Sequence, residues 1–419
     1  MHNDALTPGE RVMPRYDIVV FGATSFVGRL VCRHLLARHG AQGELRWAMA
    51  ARSRERLEAV RAELGPDAAA VPLVMADSGD EVSLGAMVGA TRVVLSTVGP
   101  YALYGSLLVR LCAEQGVDYC DLTGEVPWMA RMLAAHGDTA ARSGARIVHC
   151  AGFDSVPSDV GVHVLQREAA TRLGAPCTRV GMRLKAASGA FSGGTVASLL
   201  NVLREARADD ETRALLADPY ALCPREGRPS TEQPEVGLTA RDALSGGWIA
   251  PFIMGAINTR VVHRSHALRA HAWGADFRYD EAVMTGGGVR GWMGAAGMGA
   301  GLGGFMAALS VPPTRWLLER FVLPAPGEGP SPEAQERGFF DIRLFGLTAD
   351  DASLQLRVTG DRDPGYGSTC KMIGEVAVAL ADGIGEYPGG GFFTPSVALG
   401  DALVERLEAH AGMTFEVID

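Results

Sequence analysis

The segment GATSFVG, Gly22 to Gly28, follows the apolar run YDIVVF and precedes VGRLVCRHLLARHG. Gly22 permits a tight turn at a strand end, and Gly28 lets a helix come close to the sheet. The backbone N–H groups of Thr24, Ser25, Phe26 and Val27 then face outward at a helix start, where an anion such as a pyrophosphate binds. Ser25 stands where such turns usually carry their middle glycine, and its hydroxyl is expected to donate to a phosphate oxygen. A short glycine motif is a weak signal alone. With a strand before it, a helix after it and a second strand, LRWAMA, on schedule, it reads as a dinucleotide site.

The second strand ends in AARSRER. An NAD enzyme places a carboxylate there for the adenosine ribose. Here Arg52 and Ser53 take that place, and a guanidinium fork suits a 2′-phosphate. The expected cofactor is therefore NADP(H). Asp77, after VPLVMA, lies at the end of the third strand and either contacts the adenine or closes a turn. After the fourth strand, STVGPYALYG brings Ser96, Thr97, Gly99, Pro100 and Tyr101 to the carboxyl edge of the sheet, where ligands of open parallel sheets bind.

Reduction by a nicotinamide combines hydride delivery with a proton. Tyr101 is the first candidate donor and Tyr104 the second, with packing as the alternative role for each. In HCAGFDSVPSDVG, Asp154 and Ser155 precede Pro157 at a helix start. They either cap that helix or, with its first N–H groups, hold an anion, and Asp154 is a third candidate acid. Cys150 reads as a small buried hydrophobe, and Asp121 and Glu125 as loop hydrogen-bonding groups. The run SGGTVAS, Ser192 to Ser198, is expected to line a substrate cleft. No metal set is expected: HRSH, His263 to His266, is too isolated, and neither H-E-x-x-H, G-x-S-x-G nor a Walker loop occurs.

Short apolar runs alternate with helix-like stretches from Tyr16 to about Cys150, as in a parallel sheet covered on both faces. In SRERLEAVRAEL, Leu57, Val60 and Leu64 recur at helical spacing between charges. Further on, Leu354, Leu356 and Val358 alternate with polar neighbours, as in a strand with one buried face. The expected fold is α/β, a doubly wound Rossmann domain over residues 16–155 following a disordered leader, 1–15. An inserted α+β domain, 156–365, contains a mostly antiparallel sheet and serves substrate binding or dimerisation. Helices in 366–419 return to the first domain.

A chain of 419 residues exceeds the roughly 250–300 at which single cores stop growing. Its net charge of −9 argues against a nucleic-acid partner. Seven cysteines without a C-x-x-C pair, and a leader lacking an apolar stretch with a cleavage site, fit a cytoplasmic protein. GWMGAAGMGAGLGGFMAALSV, Gly291 to Val311, carries no charge over about a bilayer's length. It reads as a glycine-rich buried helix or loop, with peripheral membrane contact or a homodimer contact as the other readings.

The motifs GATSFVG, AARSRERL, STVGPYALYG, DYCDLTGE, HCAGFDSVPSDVG, SGGTVASL and FFTPSVALGDALVERL, in that order and spanning nearly the whole chain, resemble the saccharopine dehydrogenase-like oxidoreductases. The resemblance is strongest to their trans-acting enoyl reductase branch. It implies an NADP-binding Rossmann domain, an inserted catalytic or dimerisation domain, and reduction of a carbon–carbon double bond on a lipid or polyketide-derived chain carried by a partner synthase. A second reading is an imine reductase of the saccharopine type. Its polycarboxylate substrate requires convergent cations in the second domain, and the chain's only lysines are Lys185 and Lys371. A third is a non-catalytic NADPH-binding scaffold in lipid metabolism.

Overall fold

The computed structural model describes residues 14–189, 193–311, 329–387 and 389–418, with 313, 314, 316 and 318. The expected leader as far as Met13, and Ser192, lie outside them. The first domain runs β1 (Tyr16–Phe21), α1 (Phe26–His39), β2 (Trp47–Ala51), α2 (Arg54–Glu63), β3 (Leu73–Met75), α3 (Glu81–Gly89) and β4 (Thr91–Ser96). It continues through α4 (Tyr101–Tyr104), α5 (Ser106–Gln115), β5 (Asp118–Asp121), α6 (Val126–Ser143) and β6 (Arg146–Val148). Strands and helices alternate as the apolar runs predict. Strand β1 is apolar on both faces: Ile18 and Val20 enter one core with α1 and α2, while Val19 and Phe21 enter another with α3, α5 and α6. Burial on both faces is what a parallel sheet between two helix layers requires.

The chain leaves through α7 (Val156–Leu173) into β7 (Cys177–Ser188), α8 (Gly193–Ala208), α9 (Asp210–Ala217), β8 (Ala240–Arg241), β9 (Trp248–Pro251), α10 (Gly255–Leu268), β10 (Arg278–Gly286) and α11 (Gly288–Ser310). After α12 (Pro332–Arg337), β11 (Phe339–Thr348) and β12 (Ser353–Gly360) it returns through α13 (Thr369–Ala381), β13 (Gly391–Phe393), α14 (Pro395–His410) and β14 (Met413–Ile418).

The first sheet has seven strands in the order β13-β6-β5-β4-β1-β2-β3, all parallel. The order reverses between β1 and β4, which opens a crevice at their carboxyl ends. The second sheet, β14-β12-β11-β7-β10-β9-β8, is antiparallel except for the β7–β10 pair. Leu354, Leu356 and Val358 are buried between half-buried neighbours, as their alternation predicts.

Two features depart from the sequence reading. The C-terminal segment contributes strands as well as helices: β13 extends the first sheet, and β14 pairs with β12 of the second. Helix α11 is exposed along much of its length, with Val289, Trp292, Met293 and Met298 open to solvent. Its glycines admit close approaches at two places, where Gly291 and Gly294 pass Gly286 and Thr285 and where Gly299 passes the Leu238 backbone. One core joins the two sheets, since side chains of α7, α13 and α14 pack continuously with β1 on one side and with β7, β11 and β12 on the other.

Candidate active site

The glycine turn closes around its own side chains. Gly22 has φ +92°, and a Cβ there would stand 2.6 Å from the Thr97 hydroxyl; one on Gly28 would collide with the Gly22 carbonyl. Ser25 caps α1 by accepting from the Gly28 N–H at 2.9 Å. Its hydroxyl also meets that of Thr97 at 2.9 Å, and Thr97 reaches the Gly22 carbonyl at 3.1 Å. Because each hydroxyl has one proton, Thr97 donates to Gly22 and Ser25 donates to Thr97. Ser25 therefore ties the turn to the β4 loop through its side chain. The N–H groups of Thr24, Phe26 and Val27 find no acceptor among the described residues and remain for an anion.

Arg52 follows β2 directly, is exposed, and makes no hydrogen bond or ion pair among the described residues. Ser53 caps α2 through the Arg56 N–H at 3.3 Å, so the positive end of that helix lies beside Arg52. Asp77 turns its carboxylate to the Gly79 N–H at 2.9 Å and so closes a turn. A cradle free of Cβ atoms, unmatched N–H groups and an unpaired guanidinium at the ribose position together fit NADP(H).

Along the carboxyl edge the three candidate acids differ. Tyr101 is 4% exposed. Its hydroxyl donates to the Ser96 carbonyl at 3.1 Å and accepts from the Leu122 N–H at 3.1 Å. Burial, with the charge of Asp121 second, pushes its pKa well up. Tyr101 is placed as a strut between the β4 and β5 loops, with no proton to offer a ligand. Tyr104, at the end of α4, is 45% exposed, and its hydroxyl has no partner among the described residues. Pro100, in a cis peptide with Gly99, begins α4.

Asp154 is partly buried just before α7, and its carboxyl has no hydrogen-bond partner among the described residues. Burial and then the charge of Asp121 raise its pKa to about 7. Its neighbour Ser155 does not cap α7 by side chain; the hydroxyl donates instead to Asn258 Oδ1 at 3.0 Å.

Other polar groups set this edge. Glu125 accepts from the N–H groups of Tyr101 and Ala102 at 2.7 and 2.9 Å and from the Ser198 hydroxyl at 2.7 Å, so it caps α4. Asp121 accepts from His149 Nδ1 at 2.8 Å, the Tyr119 hydroxyl at 3.0 Å and the Thr123 N–H at 3.1 Å. His149 Nε2 is buried without a partner among the described residues. The Cys150 thiol is fully buried and its pKa pushed well up by that burial, as in an inert packing cysteine. The sequence reading passed over His149, although a histidine directly after a parallel strand faces this edge. It had no signal for Asn258, which lies on a helix outside every motif. Among the described residues no cluster of histidine, cysteine and carboxylate side chains suits a metal ion.

The sequence profile of the saccharopine dehydrogenase NADP binding domain matches residues 18–148. A trans-acting enoyl reductase of Mycobacterium tuberculosis is 38% identical over 419 residues, covering 96% of this chain and 97% of its own. One from Mycobacterium ulcerans is 39% identical over 409 residues, covering 94% and 95%. Among solved structures, the apo saccharopine dehydrogenase (L-Glu forming) of Saccharomyces cerevisiae superposes with a TM-score of 0.52 at 11% identity, covering 96% of this chain and 99% of that one. At that identity the likeness is one of fold.

Proposed function

Because the chain belongs to the trans-acting enoyl reductases of the saccharopine dehydrogenase-like class and is an NADP-dependent oxidoreductase, we propose that it reduces the carbon–carbon double bond of an enoyl thioester on a lipid or polyketide-derived chain held by a synthase. NADPH held at this site would supply hydride to the β carbon of such a substrate and leave enolate charge on the thioester oxygen. The residues of this chain must then bind that oxygen and protonate the α carbon. Asp154 is the proton donor in this reading, and the observation that carries it is its unpartnered carboxyl at the sheet's carboxyl edge, titrating near neutral pH. Tyr104 holds the enolate oxygen through its unpartnered hydroxyl. Tyr101 is a positioning residue, fixing the loops that carry both. Arg52 and the α1 N-terminus hold the cofactor.

An imine substrate with several carboxylates would require convergent cations. Four arginines of the second sheet are committed elsewhere: Arg183 to Asp242 and Asp280, Arg179 to Asp280, and Arg343 and Arg357 to Asp341. The enoyl reading is therefore favoured. Its test is transfer of deuterium from stereospecifically labelled NADPH to enoyl thioesters presented on a synthase acyl carrier. Deuterium at the β carbon supports it, and absence of transfer with NADPH bound refutes it.

A further inference from the structure

A cavity of about 710 Å³ lies in the second domain between α10, β10 and the loop over residues 217–236, a volume suited to a small molecule. Its floor holds two polar side chains that the fold leaves unmatched. His263 is 1% exposed, and neither ring nitrogen has a partner among the described residues. Its ring packs against those of Tyr220 and Phe277, and burial lowers its pKa to about 3, so it presents one N–H and one acceptor as neutral imidazole. An unmet buried polar group costs about 1–3 kcal/mol, and such groups in native proteins call for a ligand or an ordered water.

Arg260, nearly one turn earlier on α10, makes no ion pair with a carboxylate among the described residues. Its guanidinium reaches the Leu216 carbonyl at 2.6 Å and the Thr259 hydroxyl at 3.1 Å, while Nε is buried and unpartnered. The other charges around the floor are matched. Arg228 pairs with Asp218, Asp280 with Arg179 and Arg183, and Glu281 accepts from the Tyr279 hydroxyl at 2.6 Å and from Asn258 at 2.9 Å. Glu232 and Glu235 are exposed at the rim. The floor thus holds a cation that feels the charge of Asp218 but forms no ion pair among the described residues, beside a neutral donor, and Pro219, Pro229, Pro234 and Phe252 supply apolar wall.

We propose that this cavity binds an anionic amphiphile, with its carboxylate or phosphate on Arg260 and His263 and its apolar body against the proline-rich loop. The assignment stands whichever bond the cofactor reduces. The same chemistry has two sources, a free fatty acid and the phosphate of a phosphopantetheine arm. Calorimetric titration of the full chain saturated with NADPH, using dodecanoate and 4′-phosphopantetheine separately, distinguishes them.

At least one probe is expected to bind, and the one that binds identifies the source. Arg260→Gln and His263→Phe should each weaken it tenfold or more while NADPH affinity stays unchanged, which also reports that the variants are folded. In the unsubstituted chain, saturation must shift the ring ¹⁵N resonances of His263. The proposal is overturned if neither probe binds, if both folded variants bind as tightly as the parent, or if binding leaves those resonances unmoved. Loss of enoyl turnover with binding intact would refute the reductase reading and leave this site standing.

Discussion

Replacing Asp154 by asparagine keeps the side chain's shape and removes its titration. The carboxyl stands at about 7 in the folded chain against an ordinary 3.8, raised first by burial and then by Asp121. An acid with a raised folded pKa binds a proton on folding. Its stabilising contribution is full below about pH 4, falls as the pH rises because the unfolded chain ionises first, and is exhausted above about pH 7. Three units at 1.36 kcal/mol each set a ceiling of about 4 kcal/mol, which contact with solvent reduces to roughly 2 kcal/mol. Asp154→Asn should therefore match the parent in denaturant unfolding near pH 4 and exceed it by about that amount at pH 8. Turnover has the same sign, because the donor must carry its proton. The parent's kcat should be flat below about pH 7 and fall about tenfold per unit above it, whereas the variant should lose that limb and about 10²–10⁴ in kcat with NADPH affinity retained. A stability difference independent of pH would show that the carboxyl is not perturbed. A surviving alkaline limb in the variant would place the donor elsewhere.

Arg52→Ala should weaken NADPH binding roughly 10- to 100-fold, the equivalent of a charge-assisted phosphate contact, and leave NADH binding nearly unchanged in a fluorescence titration. Gly28→Ala drives a methyl into the Gly22 carbonyl and should abolish nucleotide binding while lowering the melting temperature. Tyr101→Phe removes two hydrogen bonds from a buried hydroxyl; it should lower stability by about 1–3 kcal/mol without removing the alkaline limb of kcat, unlike Asp154→Asn. Glu375 is fully buried against His34 at 3.0 Å, Arg38 at 3.3 Å and Arg406 at 3.1 Å. Burial alone would raise its pKa, but His34, Arg406 and Arg38 outweigh it and the net shift is downward. Glu375→Gln should cost about 3 kcal/mol at neutral pH, a difference that fades in acid unfolding as the pH falls through the lowered carboxylate value.

The first domain is legible in the sequence because every determinant is local. Each apolar run is long enough to be a strand buried on both faces, and the turn's special φ is declared by Gly22. Arg52 is legible for the same reason, standing one residue beyond a strand whose end is fixed by the alternation. The second domain is less so. Strand β14 pairs with β12 across helices and a third strand, and MTFEVI carries nothing that names its partner. The site shows the same division. A tyrosine in a motif at the sheet edge is an obvious candidate acid, but whether its hydroxyl faces ligand or backbone depends on where Leu122 and Ser96 come to lie. Asp154 becomes the better acid through what is missing around it, a hydrogen-bond partner, and sequence does not record absences. Asn258, Arg260 and His263 matter because successive turns of one helix face different neighbours, a distinction that spacing alone leaves open.

That helix, α10, ties the two sheets together. Through Asn258 it bonds Ser155 and Ser158 at the start of α7, beside Asp154, and the same amide donates to Glu281 of the second sheet. Ser265 donates to Asp159, whose carboxylate also receives the Ser396 N–H at 2.8 Å, and Arg264 reaches the Phe392 carbonyl in the first sheet. Ile257 meets the loop after β5, where a Cβ on Gly124 would stand 2.8 Å from it. Hydride transfer needs reacting atoms held within about 3–3.5 Å, so a substrate gripped by one domain and a cofactor gripped by the other must keep a fixed register. A hinge between the sheets would lose that register. A buried polar helix bonded to both, inside a core that joins them, keeps it, and carries Arg260 and His263 of the cavity floor within about a turn and a half of Asn258, which bonds the start of α7 beside Asp154.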